Sequence, residues 1–377
     1  MAPLLLSPHE APALLPIPPT PATPPLDFVL PPSLEAHEPP EHDGRRRDDV
    51  RLLVSSASEA SVHHSSIRHL ADWLSAGDLI VVNTSATLPA ALRGTRRPSS
   101  NTSAPEPVLV HVAGPLPGGL WLVELRRPSV GGNQPLGDAS VEDIVALDSG
   151  GELHLVAPWR PAPPRGGARL WVVEPRLDRP VETYLVAHGR PIQYRDTPRP
   201  VGIDAYQSIF SRTPGSAEMP SAARPFTGSI VVDLAVHGVL VAPLLLHTGV
   251  SSLEEGEEPP IERYEVPGST AALVDHVHDH GGRVVAVGTT VVRALETTAD
   301  EWGRSHPGRG WTDTVLSPER PTRVVDGLIT GWHEPRSSHL RLLESVAGRD
   351  VLERSYPEAL AAGYRWHEFG DLHLILP

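Results

Sequence analysis

Two stretches of the chain read Leu79-Ile80-Val81-Val82 and Val284-Val285-Ala286-Val287, four apolar residues in a row with no polar alternation. A strand with one wet face alternates apolar and polar side chains. An unbroken, mostly β-branched run suits a strand covered on both faces, as in the parallel sheet of an α/β fold. Each run stops at polar residues, Asn83-Thr84 and Gly288-Thr289-Thr290. Around the second run, Ser269 is expected to cap a helix through Asp279, Gly281 to end it, and Val291 to Thr298 to form the next helix. Ile230-Val231-Val232 and Leu244-Leu245-Leu246 read as further strands, His69 to Leu74 as a helical turn, and Ser337 to Ala347 as a helix.

The pattern changes after about residue 92. A Ser/Thr/Pro/Arg loop over 94–107 is followed by short apolar runs, Val108 to Val112, Leu120 to Leu125, Leu153 to Val156 and Leu170 to Val173, separated by Gly and Pro. Short strands at that spacing predict a small barrel or sandwich. The predicted organisation is therefore a discontinuous α/β domain over 26–92 and 191–377, interrupted by a β-barrel-like domain over 93–190. Proline, at 43 residues, is concentrated in the first forty positions. It fixes φ and removes a donor, so residues 1–25 are expected to form a flexible leader.

The chain has no cysteine, which excludes disulfides, thiolate metal sites and a Cys nucleophile. Its net charge of −14 argues against a broadly basic nucleic-acid surface. Local basic clusters remain at Arg45-Arg46-Arg47 with Arg51, and at Arg93, Arg96 and Arg97. A solvated surface is the plainer reading of both. The apolar start lacks a basic n-region, and no apolar run approaches the ~18 residues of a membrane span. A chain without an export signal or a span is expected in the cytoplasm.

The strongest chemical signal is strand, Gly288-Thr289-Thr290, helix. Ligands of open α/β sheets sit outside the carboxyl ends of the strands, and a helix start offers free N–H groups to a carboxylate or phosphate. Arg293 follows one turn later as a possible partner for the same anion. A Thr-capped helix with no ligand is the competing reading. Asp326-Gly327-Leu328-Ile329-Thr330-Gly331-Trp332-His333 delivers a ring that stacks and an imidazole that moves protons. A packed Trp and a structural His answer the same pattern. His247 and Asn83 both end apolar runs, where a core His and a turn-forming Asn are the common alternatives. His276 and His280 share a helix face but lack a third ligand, so no metal site is expected.

Taken in order, these segments resemble the S-adenosylmethionine:tRNA ribosyltransferase-isomerases. The resemblance rests on Arg51-Leu52-Leu53-Val54, on Gly77 to Thr84 with Pro89-Ala90, and on Tyr206-Gln207. It continues through Pro220-Ser221-Ala222 with Phe226-Thr227, Leu246-His247-Thr248-Gly249, and Glu262 to Val266. Its longest parts are Gly281 to Glu296, Val325 to Thr330, His333-x-Pro335-x-Ser337, and Tyr364 to Trp366 with Phe369-Gly370-Asp371. The resemblance implies an α/β domain interrupted by a barrel. It also implies transfer and isomerisation of the ribosyl group of S-adenosylmethionine onto 7-aminomethyl-7-deazaguanine in tRNA, giving epoxyqueuosine, adenine and methionine. No permanently bound cofactor or metal is implied; S-adenosylmethionine is a substrate, tRNA a partner, and the chain is expected to be a monomer.

Chemistry and position in these segments, rather than the resemblance itself, make His247 and His333 the candidates for proton transfer. Gly288, Thr289, Thr290 and Arg293 would hold a carboxylate or phosphate, and Asn83 and Asp326 would orient the ribose. Tyr206, Gln207, Phe226, Thr227 and Trp332 would contact substrate. The sequence departs from the family pattern where Ala86 and Ala91 replace two arginines and where Ala223-Arg224-Pro225 replaces Gly-Leu-His. Further departures are Gly249 to Leu253, Pro260-Ile261 and Gly331-Trp332. Lost cations are not conservative in a polyanion site. An S-adenosylmethionine-using enzyme with a small-molecule acceptor, or a noncatalytic RNA- or ligand-binding relative, are therefore alternatives.

Overall fold

The structure is a computed structural model that describes residues 24, 26–100, 104–159, 167–195, 197, 199, 201–250 and 260–377. The leader expected over residues 1–25 lies, but for Pro24, outside the described residues, as do Ser251 to Leu253. A nine-stranded sheet has the order Gly308–Thr312, Glu262–Val266, Leu240–Leu246, Leu79–Asn83, Val284–Val287, Gly327–Gly331, Leu372–Leu376, Arg51–Ser56, Ser61–Ser66. The four strands from Leu240–Leu246 to Gly327–Gly331 are mutually parallel and form its centre.

The unbroken apolar runs occupy this centre, and their pleat explains why they have no polar face. Leu79, Val81, Val284, Ala286 and Leu328 point into one buried layer, with the helices Gly268–Asp279, Thr289–Thr298, Ser338–Ala347 and Arg349–Ala361. Ile80, Val82, Val285, Val287 and Ile329 point into the opposite layer, covered by the 3-10 segment Ile67–Trp73 and the helix Gly228–Val236. Each strand is thus clad on both sides, as doubly wound sheets require.

Ile230-Val231-Val232, read above as a strand, is part of the helix Gly228–Val236. The Thr227 side chain accepts from the Ile230 N–H and caps the helix, while Ile230 and Leu234, four apart, both enter the core. Cap and i,i+4 burial outweigh the β preference of three branched residues. The helix Gly268–Asp279 forms without the expected side-chain cap from Ser269; Pro267 occupies the N-cap position. Gly281 ends that helix with φ 75°, and Gly282 N–H returns to the Val277 carbonyl at 2.9 Å.

A six-stranded antiparallel barrel leaves the sheet after Leu79–Asn83. It comprises Ala91–Arg97, Glu106–Pro115, Trp121–Ser129, Ile144–Leu147, Glu152–Pro158 and Leu170–Arg176, and closes where Leu170–Arg176 pairs with Trp121–Ser129. Closure leaves no free edge among these strands. The architecture is therefore α/β with an inserted barrel. The strand Ser85–Thr87, paired with Thr213–Ser216, joins barrel to sheet.

Candidate active site

The strand Leu79–Asn83 leads toward Leu240–Leu246 on one side, whereas Val284–Val287 leads toward Gly327–Gly331 on the other. At such a divergence the connections part and leave a crevice at the carboxyl ends of the strands. A cavity of about 710 Å³ lies there. Its walls include Gly288 to Thr290, Thr330 to His339, Thr314 to Leu316 and Glu218 to Ala222, with Arg126 and Pro135 from the barrel and Glu368 from the C-terminal segment. The two long C-terminal motifs thus meet on one cavity, whose size falls in the range of small-molecule sites.

Gly288 turns the strand into the helix Thr289–Thr298 with φ 92° and ψ 152°, a backbone shape reserved for glycine. No side chain caps this helix, so its first N–H groups and partial positive charge face the cavity wall. Asn83 secures the turn from the neighbouring strand. Its amide donates to the Leu246 carbonyl at 2.8 Å and to Thr290 Oγ1 at 3.3 Å, and its oxygen accepts from Ser85 and Leu246 N–H groups, both at 3.0 Å.

His333 and His339, which also line the cavity, form a stacked pair with ring centroids 4.6 Å apart and nearly parallel planes. His333 Nε2 bonds with Thr330 Oγ1 at 2.9 Å, which fixes the ring. Burial, and then the neighbouring His339, hold His333 well below the usual imidazole range. Burial, followed by Arg293, lowers His339 to about 4. Both rings are neutral at pH 7 and present lone pairs rather than positive charge.

Carboxyls also line the cavity. Glu218 is buried and accepts a hydrogen bond from the Tyr194 hydroxyl. Tyr194 is backed by the Arg126 guanidinium, 4.7 Å from the ring centroid, and by the His111 edge at 5.2 Å. Burial, and then the charge of Glu218, push Glu368 up to about 8. Sequence reasoning passed over Glu218, Tyr194, His339 and Glu368. Glu368 stood inside a recognised segment, between Trp366 and Phe369, but only the fold brings it to Glu218.

The sequence-predicted residues divide. Gly288, Thr289, Thr290, Arg293, Tyr206, Trp332 and His333 all line the cavity. Arg293, however, is ion-paired with buried Glu262, and its Nε donates to the Thr314 carbonyl at 3.1 Å, so its donors hold the protein together. Trp332 is packed among Tyr356, Tyr364, Trp366 and His373, stacked on the last at 4.7 Å, and serves the core more than a ligand. Asn83 lies behind the cavity wall with its amide fully bonded.

Other expected site residues stand apart from the cavity. His247 lines a small pocket beside Gly215 that shares Pro260 and Glu262 with the cavity, bonds Ser85 Oγ at 2.8 Å, and is lowered to about 4 by burial and then Arg263. Gln207 brackets the backbone of Thr87, Phe226 is in the core, and Thr227 caps its helix. Asp326 precedes its strand and so lies at the amino end of the sheet, bonded to His278 at 2.8 Å and to Val284 N–H at 2.7 Å. A ribose in the cavity is out of its reach. The basic clusters are also largely tied up: Arg47 with Glu41, Arg51 with Asp371, and Arg96 with Asp143.

The sequence matches the family described as queuosine biosynthesis protein over residues 23–375. It is 33% identical over 365 residues to an S-adenosylmethionine:tRNA ribosyltransferase-isomerase of Symbiobacterium thermophilum, covering 93% of this chain and 98% of that one. A protein of the same name from Moorella thermoacetica is 32% identical over 367 residues, again covering 93% and 98%. Among solved structures, S-adenosylmethionine tRNA ribosyltransferase from Thermotoga maritima is 27% identical with a TM-score of 0.51, covering 93% of this chain and 99% of that one. Matched in sequence along almost its whole length, and in architecture by a barrel set into an α/β sheet, the chain belongs to the queuosine biosynthesis protein family.

Proposed function

We propose that this protein transfers and isomerises the ribosyl group of S-adenosylmethionine onto 7-aminomethyl-7-deazaguanine in tRNA, yielding epoxyqueuosine with release of adenine and methionine. The observation that supports it most is the meeting of the Gly288 helix start and the 330–339 segment on one cavity. In this reading residues 26–92 and 191–377 form the catalytic domain and 93–190 the inserted one, and the protein works in the cytoplasm. No helix of the described residues is long and apolar enough to cross a membrane.

The chemistry follows from the donor. A sulfonium acidifies the adjacent 5′ C–H; a base takes that proton, adenine departs, and the amine of the acceptor attacks the resulting sugar carbon. The uncapped start of helix Thr289–Thr298 suits the methionine carboxylate. His333, oriented by Thr330, and His339 beside it are neutral and are candidate proton acceptors, though burial weakens both as bases by disfavouring their charged forms. His247 is the weaker candidate, because it does not line the cavity itself but an adjoining small pocket.

A second reading, a small nucleoside-like acceptor, is favoured by the arginines engaged in internal ion pairs. Incubation with S-adenosylmethionine and either modified tRNA or the free aminomethyl nucleoside, with adenine measured by chromatography, separates the two. Adenine formed only with the tRNA supports the first reading. Adenine formed only with the nucleoside supports the second, and none with either overturns both.

A further inference from the structure

Resting on the reading of an amine-bearing acceptor, we propose that Glu368, with Glu218 beside it, is the subsite that receives the acceptor's amino group and takes its proton. Both side chains line the cavity, from segments far apart in the chain. Glu218 is fixed by Tyr194, which Arg126 and His111 in turn hold. Phe369 behind Glu368 is packed on Tyr206 at 5.3 Å and under Arg224 at 4.9 Å.

The surrounding charges leave Glu368 without a counter-ion. Arg224 is paired with Glu41, Arg126 with Glu124, and Arg195 with Glu35. His37 and His367 are stacked on each other at 5.4 Å, and His367 lies near Glu35 and Glu334. Burial holds His367 below the usual imidazole range, although Glu334 and Glu35 oppose this. Among the described residues Glu368 itself has no hydrogen-bond or ion-pair partner. Independently of the carboxyls, two other residues that line the cavity have buried hydroxyl oxygens without a protein partner among the described residues, Ser337 Oγ and Thr248 Oγ1. Buried polar atoms of this kind call for a ligand that supplies the missing bonds.

Burial, and then the charge of Glu218, favour the neutral acid form of Glu368 at neutral pH. Glu218, held by the Tyr194 hydroxyl, then carries the one negative charge of the two. An entering ammonium favours ionisation of both carboxyls, and the Glu368 proton leaves to solvent. The N–H bond of the ammonium next breaks as an O–H bond forms on the Glu368 carboxylate, giving a neutral amine and a carboxylic acid. No electrons are transferred to an outside partner, and the freed lone pair is the nucleophile that the transfer needs. S-adenosylmethionine also carries an ammonium, so binding has to be compared between the acceptor and the donor.

Calorimetry on the full chain at pH 7, in two buffers of different ionisation heat, tests this. The ligands are 7-aminomethyl-7-deazaguanine, its 7-cyano analogue and S-adenosylmethionine. Binding of the aminomethyl base is expected to release about one proton. Glu368→Gln abolishes that release and weakens the amine by about tenfold or more, with cyano-analogue and S-adenosylmethionine affinities unchanged. Glu218→Gln shifts the release to lower pH, and circular dichroism confirms that both variants fold. No binding of the amine, equal binding of the cyano analogue, or an unchanged Glu368→Gln overturns the proposal. Loss confined to S-adenosylmethionine also overturns it and reassigns the pair to the donor. Because binding is read without turnover, failure here and failure of adenine release are separate results.

Discussion

Asn83 donates to Thr290 Oγ1 at 3.3 Å, so the last residue of one central strand is tied to the helix start that follows its neighbour. The crevice at the carboxyl ends of the sheet is therefore a braced joint. Asn83→Ala removes four hydrogen bonds and leaves buried groups of Leu246 and Ser85 without partners. We expect a loss of about 2–4 kcal/mol in urea denaturation. A change within experimental error would show that the joint is not held from this strand.

Arg293 has a structural duty that its position in the motif conceals. Arg293→Met strands the buried Glu262 carboxylate and is expected to cost about 3–5 kcal/mol. Adding Glu262→Leu should recover most of that loss, since the stranded charge is then gone. A double-mutant cycle in denaturant reads the coupling. If Arg293→Met unfolds normally but binds S-adenosylmethionine poorly, the residue belongs to the ligand after all.

Acid stability follows from the buried histidines. From an ordinary 6.5, burial lowers His247 and His339 to about 4 and His373 to about 3. Between these values and 6.5 the unfolded chain binds more protons than the folded one. Stability is therefore fully present above about pH 6.5 and falls as pH drops toward 4, with a slope of about 1.4 kcal/mol per pH unit for each such histidine. Denaturant midpoints measured from pH 8 to 4 check the sign and the window.

Glu368 works in the other direction. Its folded value of about 8 lies above the ordinary 4.5, so its contribution is present below pH 4.5 and is lost as pH rises through 8. Glu368→Gln should therefore be more stable than the parent at pH 8, by roughly 1–3 kcal/mol. Thermal melts of the two proteins at pH 5 and pH 8 test this; equal shifts at both would contradict it.

The framework of the molecule was legible because burial on two faces leaves a local mark. Leu79 to Val82 and Val284 to Val287 carry no polar face, and both lie at the sheet's centre. The barrel was legible from short runs spaced by Gly and Pro. Ile230 to Val232 misled because a Thr cap three residues before Ile230 outweighs β-branching. Asp326 misled because a motif shows neighbours in sequence but not which end of a strand they occupy. Arg293 and Trp332 touch the cavity yet are held by Glu262 and by an aromatic cluster that no local pattern reveals. Glu218 had no signal and Glu368 only its place between two matched segments, since neither has a periodic partner and only the closed fold brings them to one cavity.

Gly288 gives the most direct test of the cavity as the reacting site, because its φ of 92° admits no side chain without strain and its turn sets the helix start. Adenine released from S-adenosylmethionine in a single turnover, with tRNA carrying 7-aminomethyl-7-deazaguanine, should appear with the parent protein. It should fall by about a hundredfold or more in a folded Gly288→Val variant. A folded parent that releases no adenine, or a variant that releases it at the parent's rate, would place the chemistry elsewhere.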